Sequence, residues 1–278
     1  IPKLSSSTSL IYSRSRLAAF VFSFLGKQVV YEAHDRTHHS FFDRYLAQKA
    51  KAIVTITDSI TNSWQAINAN TIFSPDGVGD QFFTNTSRST ARSQLDLDPA
   101  KKIVLYSGGL YNWKGVGTLL AAATKFPNKD FYFIGDTSHK SAKTLISRFQ
   151  QFPNVHFTGN QPYHLVPFWL KAADLLVIPN SARTHKGSHD TSPLKLFEYL
   201  ASGTPILASV VPAIQQIASE SHLTFFKPDN IQSLSLQIKN FFENPQPYQS
   251  KTIKVKALAK SYTWNHRAKE ITEKIVKE

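Results

Sequence analysis

Short apolar runs alternating with helical stretches set the rhythm of the first quarter of the chain. LIYS (10–13), QVVYE (28–32), AIVTIT (52–57) and TIFS (71–74) are compact runs rich in Val, Ile, Tyr and Thr, as buried strands are. Between them, residues 15–25 and 41–50 space their apolar positions as helices do. Gly26 ends the first of these, and Asp58 is read as the N-cap of a third. The rhythm breaks over 80–100, where Thr, Ser, Asn and Arg dominate and, after Phe82 and Phe83, apolar residues are few until Leu95. This stretch reads as a domain linker with a short helix near 90–95. The alternation resumes with KIVLYS (102–107), a glycine-rich turn and a helix from about Val116. DFYFIG (130–135), NVHFTG (154–159), DLLVIP (174–179), TPILAS (204–209) and HLTFF (222–226) follow, with helices that include 193–201 and 231–242. Such alternation implies parallel strands with crossover helices, hence an α/β fold of two doubly wound, Rossmann-like sheets. Ligands of such sheets bind outside the carboxyl ends of the strands.

Composition narrows this picture. Hydrophobic residues are 41% and charged residues 18% of 278, which supports a sizeable core and excludes wholesale disorder. The length suits two domains. Lys and Arg outnumber Asp and Glu by 32 to 19, a net charge of +13. Such a surface attracts nucleic acid, anionic lipid headgroups or phosphorylated substrates, and charge alone does not choose among them. The absence of cysteine excludes disulfides, Cys-ligated zinc and thiol nucleophiles. No apolar stretch is long enough to span a bilayer; LAAFVFSFL (17–25), flanked by Arg14, Arg16 and Lys27, reads as a buried or amphipathic helix. The chain has no methionine, even at position 1, and residues 1–80 hold only about four strand-like runs, fewer than a self-sufficient doubly wound domain needs. The expectation is a first domain that lacks its opening βα units.

Two constellations carry chemistry. In the first, the strand ending at Tyr106-Ser107 runs into Gly108-Gly109, and Lys114 follows near the start of a helix. Glycines let backbone approach a ligand, and a lysine at a positive helix end suits phosphate oxygens. An ordinary glycine turn with a surface lysine would look the same. In the second, Ser192 reads as an N-cap and Pro193 as the first helical residue, so free N–H groups there can hold an anion. Glu198 follows on the same helix among Leu194, Leu196, Phe197, Leu200 and Ala201. A carboxylate beside so much apolar surface needs a partner, and ribose hydroxyls would serve; an exposed charge on an amphipathic helix is the plainer reading.

These segments, YSGGLYNWKG and SPLKLFEYLASGTPILAS, resemble the retaining glycosyltransferases of family 4, the group 1 glycosyltransferases. VVYEAHD, KAIVTITDSI, SPDGVGDQF, NVHFTGNQP and YTWNHRAKEI agree in order, so the resemblance covers nearly the whole chain. It implies a GT-B fold: two Rossmann-like doubly wound domains facing across a cleft. Residues 1–90 would be an incomplete acceptor-side domain, 91–260 the domain that binds the donor nucleotide sugar, and 261–278 a closing helix packed back on the first. It also implies roles. Glu198 would hold the ribose, and Lys114 the donor diphosphate. Gly108, Gly109 and the backbone N–H groups of Ser192, Pro193's neighbourhood and Leu194 would complete the phosphate cradle. The turn around Asn160 to Pro162 would meet the base. His34 and Asp190 would meet the reacting sugar.

The chain also departs from the family pattern. Gly109 stands where an arginine is frequent, Asp190 where the first glutamate of a two-glutamate motif is expected, and the glycine-rich loop that opens the acceptor domain is missing. Arg183, His185 and Lys186 are candidates for replacement charge, with a solvated loop as the plainer reading. Thr37-His38-His39 invites a metal, but no ligand partner stands at a convincing spacing, and no metal or cofactor is expected beyond the donor itself. The implied function is transfer of a hexose from a nucleoside diphosphate sugar to a hydroxyl acceptor with retention. A non-catalytic, nucleotide-binding relative is the alternative, and a GT-B-type epimerase fits less well. Expected partners are a nucleotide sugar and a saccharide or lipid-linked acceptor, in the cytoplasm. Nucleic acid rests on charge alone. The basic stretch Lys251, Lys254, Lys256 and Lys260 reads as a solvated helix face or, more sharply, as a dock onto anionic membrane.

Overall fold

The computed structural model describes residues 10–276. In chain order the first elements are β1 (Ile11–Ser13), α1 (Arg16–Phe24), β2 (Val29–Ala33), α2 (Phe41–Lys49), β3 (Ala52–Thr55), α3 (Asp58–Gln65) and β4 (Thr71–Phe73). Then come α4 (Arg88–Gln94), β5 (Ile103–Ser107), α5 (Val116–Ala123), β6 (Asp130–Ile134), α6 (Lys140–Phe149), β7 (Val155–Gly159), α7 (Val166–Ala172) and β8 (Leu175–Ile178). The remainder is α8 (His185–Ser188), α9 (Leu194–Ser202), β9 (Ile206–Ser209), α10 (Pro212–Gln215), β10 (Thr224–Phe226), α11 (Ile231–Glu243), α12 (Gln246–Gln249), α13 (Thr252–Lys260) and α14 (Trp264–Val276). Contacts divide the chain into two units. One comprises residues up to Asp76, His189–Ser192 and the chain from Trp264 onward; the other comprises Gly77–Ser188 and Pro193–Thr263.

The first unit is a parallel sheet in the order β1-β2-β3-β4. Every residue of β2 and β3 is buried, as strands covered on both faces must be. Val29, Tyr31, Ala33 and Ile53 face Ala19 of α1, Leu46 of α2 and Ile60 and Trp64 of α3. Val30, Ala52, Val54 and Ile72 face Ile271 and Ile275 of α14. The period-2 alternation of the strands thus feeds two layers. Helix α1 is amphipathic: Ala19 and Ser23 are buried, while Leu17 and Phe24 are exposed. Thr57, rather than Asp58, caps α3, because its hydroxyl reaches the Ile60 N–H; Asp58 becomes the first helical residue and complements the helix dipole. His38 and His39 shape the turn before α2, where Asp43 accepts from the His38 and Ser40 N–H groups.

The second unit is a six-stranded parallel sheet in the order β10-β9-β8-β5-β6-β7. Along β5, Ile103 and Leu105 enter one core with Trp169 and Leu170 of α7 and Leu196 and Leu200 of α9. Val104 and Tyr106 enter the other with Leu119 and Leu120 of α5 and Leu234 and Ile238 of α11. The polar stretch 80–100, which reads as a linker, is folded onto this unit. Ser87 caps α4, and Arg92 is buried, with Nε donating to Ala172 O (2.9 Å), Nη1 to Pro99 O (2.7 Å) and Nη2 to Asp174 Oδ2 (2.9 Å). Its polar composition therefore serves a buried ion pair. The basic C-terminal stretch is not one free face: Lys251 Nζ donates to Leu223 O (2.8 Å), and the Lys256 stem covers Gly203. Among the described residues, no helix is long and apolar enough to cross a membrane.

Candidate functional site

The carboxyl ends of β5 and β6 meet through glycine. Gly108 (φ +135°) and Gly135 (φ +141°) hold backbone conformations that favour glycine, and a Cβ on Gly135 would come 2.3 Å from Gly108 O. This close approach opens a cavity of about 320 Å³ lined by Gly108, Gly109, Tyr111, Gly135, Asp136 and Asn160, among others. Gly109 has a local reason to be glycine. A Cβ there would lie 2.7 Å from the Tyr111 ring, which stacks on His139 with centroids 4.0 Å apart. An arginine at 109 and Tyr111 in this pose are mutually exclusive.

Two lysines converge on Gly108. Lys114 sits in a short 3-10 turn that ends at Gly115 (φ +67°), where a Cβ would lie 1.8 Å from Pro179 O. A Cβ built on Gly108 would lie 3.7 Å from Lys114 Nζ and 3.7 Å from Lys195 Cε. Lys195, on α9, is buried. Its Nζ donates to the Tyr106 hydroxyl (3.2 Å) and lies 4.5 Å from that ring's centroid, while the hydroxyl donates onward to Gly109 O (3.0 Å). Burial pushes the Lys114 amine below the ordinary lysine range. Burial pushes Lys195 well down, and the Lys114 charge adds to this while Glu198 opposes it. Two desolvated cations facing one spot gain most from an anion placed there.

Glu198 lies three residues beyond Lys195, on the same helical face. Burial raises its carboxyl from the usual range to about 7, against the Lys195 charge and a hydrogen bond with Tyr163. Tyr199, next along, accepts from the Ser107 N–H through its hydroxyl (2.6 Å) and so ties α9 to the end of β5. The start of α9 differs from the expectation. Pro193 is the cap position and Leu194 the first helical residue, without a side-chain cap. The Ser192 hydroxyl is instead engaged by the Asp76 N–H (3.1 Å), within the first unit. Asn160 sits at the exposed rim of the cavity, just after β7. Of the expected donor residues, Gly108, Gly109 and Asn160 line this cavity, Lys114 approaches Gly108 without lining it, and Glu198 is linked to Lys195 electrostatically. Arg183 pairs with Asp229 (3.8 Å), and Lys186 stands over Trp113 (5.8 Å).

His34 and Asp190 belong to the first unit. His34 Nε2 lies 2.6 Å from Glu32 Oε1, and its Nδ1 lies 3.3 Å from Arg14 Nη2. The other Glu32 oxygen accepts from the Tyr12 hydroxyl and from Arg267 Nη1 (3.1 Å). Burial would raise the Glu32 carboxyl, but hydrogen bonds from His34 and Tyr12 and the Arg267 guanidinium hold it at about 2. Asp76 is raised by burial, against the pull of His34 and Arg267. Glu32, His34 and Asp76 each offer one ligand atom, all within 4.8 Å of one another. However, Glu32 and His34 spend those atoms on each other, and Arg267 already neutralises the carboxylate, which opposes a divalent cation there.

Sequence reasoning missed Lys195, Tyr106, Tyr199 and Glu32. The signal for Lys195 was ambiguous: a lysine three residues before Glu198 also fits an exposed ion pair on a helix face.

The family model of glycosyl transferases group 1 matches residues 87–257. D-inositol 3-phosphate glycosyltransferase of Mycolicibacterium gilvum is 32% identical over 143 residues, 49% of this chain and 30% of that protein. The chain thus spans under a third of the length of that curated relative. Among solved structures, Anabaena HepE in complex with UDP superposes with a TM-score of 0.80 at 19% identity, over 97% of this chain and 79% of that one. Sucrose-phosphate synthase of Thermosynechococcus elongatus gives 0.77 at 19%, over 95% and 72%. These likenesses are of fold, the GT-B class of α/β glycosyltransferases with parallel sheets. With the family model covering the cavity, the lysine pair and α9, the chain belongs to the group 1 glycosyl transferases.

Proposed function

We propose that this protein transfers a hexose from a nucleoside diphosphate sugar to a hydroxyl acceptor, with retention at the anomeric carbon and without a metal or other cofactor. The observation that carries the reading is the convergence of Lys114 and Lys195 on Gly108, with Glu198 on the same helix as Lys195. Together the two ammonium groups supply positive charge where a metal ion would otherwise be needed, which favours the metal-free form of the reaction. Lys195 supplies the second phosphate charge that Gly109 leaves out. Glu198 accepts from the ribose hydroxyls, Asn160 stands at the base, and the N–H groups around Pro193 and Leu194 add to the cradle.

In the step itself, the bond from the anomeric carbon to the leaving phosphate oxygen breaks as charge builds on that oxygen and is met by Lys114 and Lys195. The acceptor oxygen bonds the same face of the sugar, and its proton passes to the departing phosphate oxygen. No separate general base is required. The acceptor is a saccharide or lipid-linked hydroxyl.

Anabaena HepE was solved with UDP and with UDP-glucose, so these are the first ligands to test. Calorimetric titration should give UDP binding that EDTA does not alter. Turnover of UDP-glucose with a panel of sugar acceptors should yield an α-linked product by NMR. A β-linked product would overturn retention, and loss of turnover in EDTA would overturn metal independence. UDP binding with no transfer to any acceptor would favour the non-catalytic alternative.

A further inference from the structure

The second unit holds another cavity, of about 470 Å³, that shares no lining residue with the one beside Gly108. Its walls are α5, the C-terminal half of α6, the loop after β8 and the turn that leads into α11. Gly117 and Ala121 of α5, Leu145 and Phe149 of α6 and Ile231 of α11 supply its apolar lining. The small residues at 117 and 121, four apart on one face of α5, leave space that larger ones would fill. Arg148 of α6 and Arg183 of the β8 loop line it too. Arg148 lies over the Phe149 ring (5.4 Å), and no carboxylate pairs with it among the described residues. Asp229 is the one acidic residue of the lining, and it is engaged mainly by the β8 loop. Its Oδ2 accepts from Ser181 Oγ (3.0 Å) and the Ala182 N–H (2.9 Å), while Arg183 Nε pairs loosely with Oδ1 at 3.8 Å. Asp229 is held at φ +56°, a left-handed conformation uncommon outside glycine, and its bonds fix the loop that carries Arg183. The Ser181 N–H donates to Trp113 O (3.2 Å), which ties the same loop to the turn before α5.

The cavity thus combines an apolar lining with guanidinium charge that the protein leaves largely uncompensated. We propose that it binds a phosphate monoester of a ring-sized apolar group. Guanidiniums on two separate elements call for an anion with oxygens on several sides, which phosphate offers and a planar carboxylate does not. The Thr118 hydroxyl and the Asn112 amide line the cavity as further donors. A ring covers the apolar residues, as in other ligand pockets of this size. None of the donor residues takes part, so this site stands or falls separately from the donor reading.

1-Naphthyl phosphate probes this chemistry, with 1-naphthol, inorganic phosphate and 1-naphthoate as its partial forms. Calorimetric titration in excess UDP, which keeps the donor cavity occupied, should give one-to-one binding of 1-naphthyl phosphate. Each partial form should bind at least about tenfold more weakly. Arg148→Ala changes an exposed side chain, so the fold should survive, and the probe should weaken at least about tenfold. Gly117→Leu fills the cavity from α5: a Cβ there meets only Leu145 Cδ2, at 3.7 Å, an ordinary contact. It should abolish binding, whereas Gly117→Ala should keep it. Arg148→Ala carries the test even if Gly117→Leu does not fold. No binding of 1-naphthyl phosphate, equal binding of 1-naphthoate, or unchanged affinity in Arg148→Ala or in folded Gly117→Leu would each overturn the proposal. Binding lost in Lys114→Ala but kept in Arg148→Ala would place the probe in the donor cavity and overturn it as well. Failure of UDP to bind would bear on the donor reading alone, because the comparison of wild type with Arg148→Ala can be made without UDP.

Discussion

Burial shifts both Lys195 and Glu198 away from their ordinary titration ranges. The Glu198 carboxyl keeps its proton up to about pH 7, whereas the unfolded chain releases it near 4.5. The unfolded state therefore gains stability relative to the folded one as pH rises from 4.5 to 7, and folded stability falls by about 3 kcal/mol over that window, then levels off. Glu198→Gln should flatten this slope in urea titrations between pH 5 and 8. Ribose hydroxyls bond best to the ionised form. Glu198→Ala should accordingly cost UDP about 1–3 kcal/mol of binding at pH 8, and the gap should shrink at pH 6, where the wild-type carboxyl is mostly protonated. A gap that stays constant with pH would show that the carboxylate does not meet the ribose. Lys195 predicts a trade of the opposite kind. Its amine is depressed by burial, so holding it costs stability at neutral pH. Lys195→Met should raise Tm while weakening UDP, and a lower Tm with unchanged UDP affinity would assign the lysine to the core alone.

Helices and strands differ in how far their placement could be read from residues alone. The strands β3 and β5 were plain, because near-continuous burial favours near-continuous apolar residues; β2 was legible from Val29, Val30 and Tyr31, although its burial extends over Glu32. The turn at Gly108-Gly109 with Lys114, and Glu198 on its helix, were legible because glycine pairs and a carboxylate in apolar company have few other uses. What was hidden depended on partners remote in sequence. Arg92 looked like linker polarity until Asp174, 82 residues on, was seen to pair with it. Ser192 looked like a helix cap, but its hydroxyl is taken by Asp76, 116 residues away. Helix α14 was expected to close back on the first domain, but which of its residues would do so was not legible; Ile271 and Ile275 cover Val30, Val54 and Ile72. Burial of each isoleucine contributes about 1.5–3 kcal/mol. Removing α14 should expose the β2–β4 amides to hydrogen exchange while the β5–β8 amides stay protected. Equal loss of protection in both sheets would mean that the two cores do not stand separately. Arg92→Ala should destabilise the second unit by about 3 kcal/mol in denaturant unfolding, since it strands part of the buried Asp174 charge.

At the scale of the whole molecule, two parallel sheets have separate cores, and within the second the +13 charge acquires a local meaning. The general basic surface would attract any polyanion; on the proposed reading, two desolvated lysines beside a glycine-lined cavity favour a compact one such as a diphosphate. A protein built this way gains stability from its ligand: UDP at about 100 times its Kd should add about 2.7 kcal/mol. The most direct test of the account is the affinity of UDP and of uridine for the wild type, Lys114→Ala and Lys195→Met, measured by calorimetry at one pH and salt concentration. On the proposed reading the lysines meet phosphate and not base or ribose, so both variants should lose at least tenfold in UDP affinity and keep uridine affinity within about twofold. Equal losses for UDP and uridine, or unchanged UDP binding in either variant, would contradict the claim that this lysine pair is the diphosphate site.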